Sequence, residues 1–223
     1  MSRAKLAGGE YYHVFNRGVE KRNIFLDDKD RWRFLSLLFA LQGDAVLNPF
    51  GRIVPLVEHR MFNNLIFGQI EKSRYIELVG FCLMANHFHL IVGSEKEGGI
   101  SKYMQRLLNA YTKYFNTRYN RSGHLFGSKF QSAHIDTDKY LHYLTAYIHL
   151  NPGELKRWKK KELQYPWSSY QDYVYESRWA NFLNPSLILD QFETRSEYRD
   201  LLEKTSIRKL EERLNVEHRM FNI

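Results

Sequence analysis

The stretch FCLMANHFHLIV, residues 81–92, is apolar except for Asn86, His87 and His89. Successive side chains of a strand point to opposite faces, so His87 and His89 share one face while Phe88 turns to the other, toward a core. Two imidazoles on one face can hold one divalent metal ion. The preceding run YIELVGFCLMA, 75–85, reads as a second strand, and the short connection at Ala85-Asn86 makes the two an antiparallel hairpin. Nine histidines in 223 residues would supply roughly 0.4 such pairs by chance. The weight of the pair therefore rests on what surrounds it.

Outward from the hairpin, residues 11–16, YYHVFN, form a strand that ends at the turn signal Asn16-Arg17-Gly18. A helix is expected over 28–42, capped by Asp27 or Asp28 and ended by Gly43. Pro49, Gly51 and Pro55 break the pattern of 44–70, which reads as a loop or insertion. Ile100, Met104, Leu107, Leu108, Tyr111 and Phe115 recur at helical spacing and predict an amphipathic helix over 100–119. GHLFGSKFQSAHI, 123–135, supplies a turn and a strand, and DTDKYLHYLTAYIHLNP, 136–152, a helix with an Asp cap that stops at Pro152.

This order predicts an α+β fold in which helices cover one face of a mainly antiparallel sheet. Residues 1–154 are expected to form that core. Residues 155–223 read as a basic, mostly helical C-terminal appendage, in which Thr194 and Glu197 form a capping box for a final helix. VEHRMFN stands at 57–63 and again at 216–222. Two copies of seven residues make no repeat architecture, and no function attaches to them.

A formal net charge of +8 favours a polyanionic partner, since a lysine or arginine at a phosphate displaces a condensed counterion. Cys82 is the single cysteine, so no internal disulfide and no cysteine-rich zinc site can form, and the reducing cytoplasm fits best. No apolar run has the length of a secretory signal or a bilayer span, so neither secretion nor membrane insertion is expected. Arg17, Arg22, Arg106, Lys113, Arg118, Arg121 and Lys129 are interleaved with Tyr111, Tyr114, Phe126 and Phe130. Basic groups can track phosphates while rings stack unpaired bases, although a solvated helix face explains any one of them equally well. Lys156, Arg157, Lys159, Lys160 and Lys161 form the densest basic run, suited to duplex or hairpin phosphates or to a solvated linker.

Tyr147 and Asn151 are four apart on the 138–151 helix and so lie on one face, a turn apart. With His87 and His89 they can make one site: an Asn amide oxygen completes nitrogen and oxygen donors that suit Mg²⁺ or Mn²⁺, and a phenol can serve as a nucleophile. The plainer alternative is a core tyrosine and a helix cap, and an Asn before proline is biased out of helical geometry. Tyr143, one turn earlier, is the rival nucleophile, with Tyr140 a further turn away. His149 and His142 fall off that face and read as packing or surface residues. His134 and His124 can approach DNA or serve a structural role.

MANHFHLIV, followed some fifty residues later by YLHYLTAYIHLNP, resembles the HUH endonuclease superfamily, in particular the REP-associated and single-tyrosine transposases. The resemblance runs from YYHVFNRG at 11 through GHLFGSKFQS at 123–132 to WSSY at 167–170. It implies a ferredoxin-like sheet core, with His87 and His89 as metal ligands, Asn151 in the place of the third, and Tyr147 as nucleophile. The implied activity is metal-dependent cleavage and rejoining of single-stranded DNA, often beside a hairpin, through a 5′-phosphotyrosine. Some relatives exchange the tyrosine helix in a homodimer and others act as monomers. The chain departs from that pattern at Gly153-Glu154-Leu155 and in the length of 44–70. Two other readings use the same residues: a hairpin-DNA-binding protein without catalysis, and a phosphoesterase that activates water instead of tyrosine.

Overall fold

Phe88 turns away from both flanking histidines, as strand alternation requires, and its ring lies 5.1 Å from Phe34 and 6.1 Å from Phe126. The structure is a computed structural model that describes residues 6–44 and 50–216; apart from Val216, the second VEHRMFN lies outside them. Four strands, β1 Glu10–Arg17, β2 Glu77–Leu83, β3 His87–Ser94 and β4 Gln131–Ile135, form one sheet in the order β2-β3-β1-β4. All pairings are antiparallel. The helices α1 Asp28–Ala40 and α4 Gly99–Arg118 intervene, giving the β-α-β-β-α-β order of a ferredoxin-like fold.

On the Phe88 face, α1 and α4 meet each other through Phe34 and Tyr111, whose rings are edge-on at 5.0 Å, and Tyr103 donates its hydroxyl to Leu38 O. Each such fully buried side chain contributes about 1.5–3 kcal/mol. The other face is covered as well, which corrects the expectation of helices on one face only. Here α5 Asp138–Leu150 lies across the histidines, with Tyr147 edge-on to His89. His13, Phe15 and His89 on that face are buried, and without α5 they would face water.

Residues 50–72 also depart from the loop reading, for they hold α2 Ile53–Glu58 and α3 Leu65–Lys72. Pro55 falls in the first turn of α2, where a missing N–H breaks no helix bond, and Asn64 caps α3 by accepting from the N–H groups of Ile66 and Phe67. The cap of α5 is Thr137, which accepts from Tyr140 N–H, rather than an aspartate.

The C-terminal segment is helical, as expected, with α6 Tyr170–Val174, α7 Ser186–Leu189, α8 Arg195–Glu203 and a further helix, α9 Ile207–Val216. It is nonetheless built into the core. Residues 167–184 run beside β2, where Leu83 donates to Trp167 O, Ser169 to Phe81 O and Asn184 to Leu78 O, so the sheet edge is covered. Trp179 lies among Phe39, Phe62 and Phe81, and one apolar cluster extends across residue 154. Through the buried Leu210 and Leu214, α9 joins that cluster and packs on α5. Among the described residues no helix is long and apolar enough to cross a membrane.

One buried charge ties this segment together. Asp172 accepts from Arg178 Nε and Nη2, from Arg178 N–H and from Trp179 Nε1, all within 3.0 Å. Asp172→Ala leaves the shielded Arg178 guanidinium without its partner, and urea unfolding is expected to show a loss of about 3–5 kcal/mol. An unchanged midpoint would contradict this assignment.

Candidate active site

Register decides which side chains meet. β1 pairs with β3 so that Phe15 opposes His89 and Arg17 opposes His87, which puts His13, Phe15 and Arg17 on the histidine face. His89 is fully buried and His87 is 7% exposed.

Asn86 donates its amide N–H to Lys21 O, so its Oδ1 faces His87 Nδ1, 2.7 Å away. His87 therefore carries its proton on Nδ1 and presents a bare lone pair at Nε2. That lone pair lies 3.3 Å from Asn151 Oδ1. His89 Nε2 is buried without a partner, and its Nδ1 lies 2.9 Å from His13 Nε2. Two lone-pair atoms facing each other beside an orphaned ring nitrogen fit a divalent cation with nitrogen and oxygen donors. Among the described residues no group of three His, Cys, Asp or Glu is placed to hold a metal, and the oxygen beside His87 Nε2 is that of the Asn151 amide.

Tyr147 projects from α5 with its ring edge-on to His89, the centroids 5.5 Å apart. Asn151 follows one turn later in helical geometry, φ −51 and ψ −37, despite the proline after it. Pro152 opens the 3-10 turn Asn151–Glu154, a position where its missing N–H is tolerated. Burial pushes the Tyr147 phenol well above its ordinary pKa, and Glu154, Glu211 and Cys82 add to this. The Asn151 amide pulls the other way, although its Nδ2 has no hydrogen-bond partner. The Glu154 carboxyl is itself raised by burial and by Glu211, with Arg17 opposing. Tyr143 has its ring under the Lys139 ammonium, 5.8 Å away, and Tyr140 is buried in the core.

Arg17 is the one basic candidate whose strand position opposes a site histidine. Arg22 and Lys129 sit on segments bound to the same end of the sheet, where Ile24 donates to Ala85 O and Gly127 to Arg17 O. Lys113, Arg106, Arg118 and Arg121 belong to α4 or its C-terminal turn, on the opposite face. Arg106 donates to Gly43 O and Tyr75 Oη, and Arg118 is engaged by Asp27 and Asp30. Arg121 lies over the Phe115 ring, while Lys113 is exposed. His149 is a packing residue, bonded to Tyr198 Oη at 2.6 Å and Ser169 Oγ at 2.8 Å. His142 lies against Phe192, His134 against Glu10, and His124 is exposed.

The sequence reading passed over His13 and Asn86. His13 alternates with Phe15 and Arg17 along β1, which was a visible pattern, but its meeting with His89 depends on a pairing 76 residues apart.

Burial lowers His13 to about 3, His87 to about 4 and His149 to about 3, from an ordinary 6.5; Arg17 adds to the effect at His87 and Asn151 opposes it. His89 is also well below 6.5, through burial and the two neighbouring histidines. All are neutral at pH 7, the form that ligates metal. Because the folded values are depressed, the unfolded chain takes up protons first as pH falls. Stability is then full above pH 6.5 and declines from there toward pH 3, by about 1.4 kcal/mol per pH unit for each histidine kept neutral. Urea melts in chelator at pH 7.5 and 4.5 check this, and equal midpoints would refute it.

Residues 57–151, which contain His87, His89, Tyr147 and Asn151, match the family described as "Transposase IS200 like". The chain is also similar to a solved structure of a REP-associated tyrosine transposase bound to a REP hairpin. The TM-score is 0.51 at 13% identity, over 78% of this chain and 84% of that one, a likeness of fold. No curated protein matches.

Proposed function

We propose, from the match of residues 57–151 to the IS200-like transposase model, that this chain cuts and rejoins single-stranded DNA beside a hairpin through a covalent bond to Tyr147. The observation that carries this reading is the placement of Tyr147 against His89 with Asn151 against His87 Nε2, all within one chain. No exchange of the tyrosine helix with a second copy is needed to assemble the set.

His87, His89 and Asn151 would hold Mg²⁺ or Mn²⁺, which supplies Lewis-acid polarisation of the scissile phosphate. Arg17 brings a permanent positive charge to the same end of the sheet and favours a phosphate there. The Tyr147 oxygen bonds to phosphorus as the P–O3′ bond breaks. The phenol gives up its proton, the departing 3′ oxygen takes one up, and a 5′-phosphotyrosine and a free 3′-hydroxyl remain. Phosphoester bonding is conserved, so a second 3′-hydroxyl reverses the step and joins a different strand without ATP. Burial of Tyr147 resists the loss of its proton in the free protein.

The hairpin as substrate is supported by the likeness to a transposase bound to one. The buried free thiol of Cys82 is in keeping with the reducing cytoplasm. Incubation with end-labelled hairpin DNA and Mn²⁺, followed by a denaturing gel, tests the reading. A protein-linked downstream fragment, attached through its new 5′ phosphate and vanishing in chelator, is expected. Cleavage without the adduct would favour the phosphoesterase, and binding without cleavage the DNA-binding protein.

A further inference from the structure

The hydrogen bond that orients His89 comes from neither a carbonyl nor a carboxylate. His89 Nδ1 meets His13 Nε2 at 2.9 Å, the two ring planes are 19° apart with centroids at 5.1 Å, and both residues are fully buried. At the far ends of the pair, His13 Nδ1 and His89 Nε2 are both buried without partners. Two neutral imidazoles share two N–H groups, and only two arrangements place one proton between them. In one, His89 donates from Nδ1 to His13 Nε2, and His89 Nε2 carries a free lone pair. In the other, His13 donates from Nε2, and His89 Nε2 carries the proton and cannot ligate. Each arrangement leaves one buried N–H and one buried lone pair unmatched, so the pair has no built-in preference from hydrogen bonding.

We propose that His13 is a positioning residue whose Nε2 accepts the His89 Nδ1 proton and so holds His89 in the tautomer that binds the divalent ion. The inference rests on His89 being a ligand of that ion. Ion binding consumes the lone pair that only the first arrangement offers, and so throws both rings into it together. His13 thereby serves the outer-shell role usually taken by a carboxylate or a carbonyl, without adding charge to the site. Phe15, stacked on His13 at 4.7 Å and 5.9 Å from His89, packs against both rings.

The test uses the full chain without DNA. Mn²⁺ binding is measured by electron paramagnetic resonance for the wild type, His89→Ala, His13→Phe and His13→Gln, each with a thermal melt. His13→Phe keeps a ring and loses the acceptor, and Mn²⁺ affinity is expected to fall by about 10–100-fold. Gln places an amide oxygen near the Nε2 position and is expected to recover most of that loss. Unchanged affinity in a folded His13→Phe protein would overturn the proposal. Imidazole nitrogen shifts of the wild type with Mg²⁺ give a readout free of any folding defect: His89 protonated at Nδ1 is expected, and protonation at Nε2 overturns the proposal. If His89→Ala binds Mn²⁺ as the wild type does, the metal reading itself fails, and the role of His13 falls with it.

Discussion

Tyr147→Phe is expected to bind hairpin DNA with wild-type affinity, to form no covalent adduct, and to cleave at least about 10³-fold more slowly. The substitution removes one oxygen and keeps the ring that stands edge-on to His89, so the sheet face stays covered. Its stability is expected to change by less than about 1 kcal/mol, because the hydroxyl brings little to the packing. Tyr143→Phe is the matched control, since that ring sits one turn away under Lys139, and it is expected to retain both adduct and cleavage. Loss of the adduct in Tyr143→Phe alone would move the nucleophile one turn along α5. Full cleavage by Tyr147→Phe would return the chemistry to an activated water.

Deletion of residues 155–223 is expected to give a chain that does not fold. The cut would leave the β2 edge bare at Leu83 N–H, Phe81 C=O and Leu78 C=O. It would also strip Tyr165, Trp167, Tyr173, Trp179 and Phe182 from the core, all of them buried. At about 1.5–3 kcal/mol for each large apolar side chain, the loss rivals the whole stability of a typical domain, roughly 5–15 kcal/mol. Near-ultraviolet circular dichroism and urea titration read the outcome. A cooperative transition in the truncated chain would show 1–154 to be an independent domain, as the sequence alone suggests.

That contrast marks where the sequence stops being legible. The β3 strand and the α4 and α5 helices follow from periodicity, and with them the shared face of His87 and His89 and the one-turn spacing of Tyr147 and Asn151. Local pattern carried those four residues. The segment after 154 is as dense in aromatic residues, but apart from Tyr198 those described sit in turns or in helices of three to five residues, where neither period can show. Its lysines advertise a surface, while Trp179 and Phe182 act through contacts with Phe39 and Phe67, more than a hundred residues away. Separation along the chain also hid His13, whose partner is fixed by the β1–β3 register, and Glu211, whose charge reaches Tyr147 from α9. Pro55 misled for a local reason, since a proline that ends a helix elsewhere is admissible in its first turn. The α4 arginines show the converse: Arg106 and Arg118 have the spacing of a phosphate-binding face, yet both are held by groups of this chain.

The most direct test of the account is to locate the covalent bond. Wild-type protein is incubated with hairpin DNA and Mn²⁺, the DNA is digested to a single nucleotide, and the adducted peptide is sequenced by mass spectrometry. The account predicts a 5′-linked nucleotide on Tyr147. A nucleotide on any other residue, or cleaved DNA with no nucleotide on the protein, would contradict it.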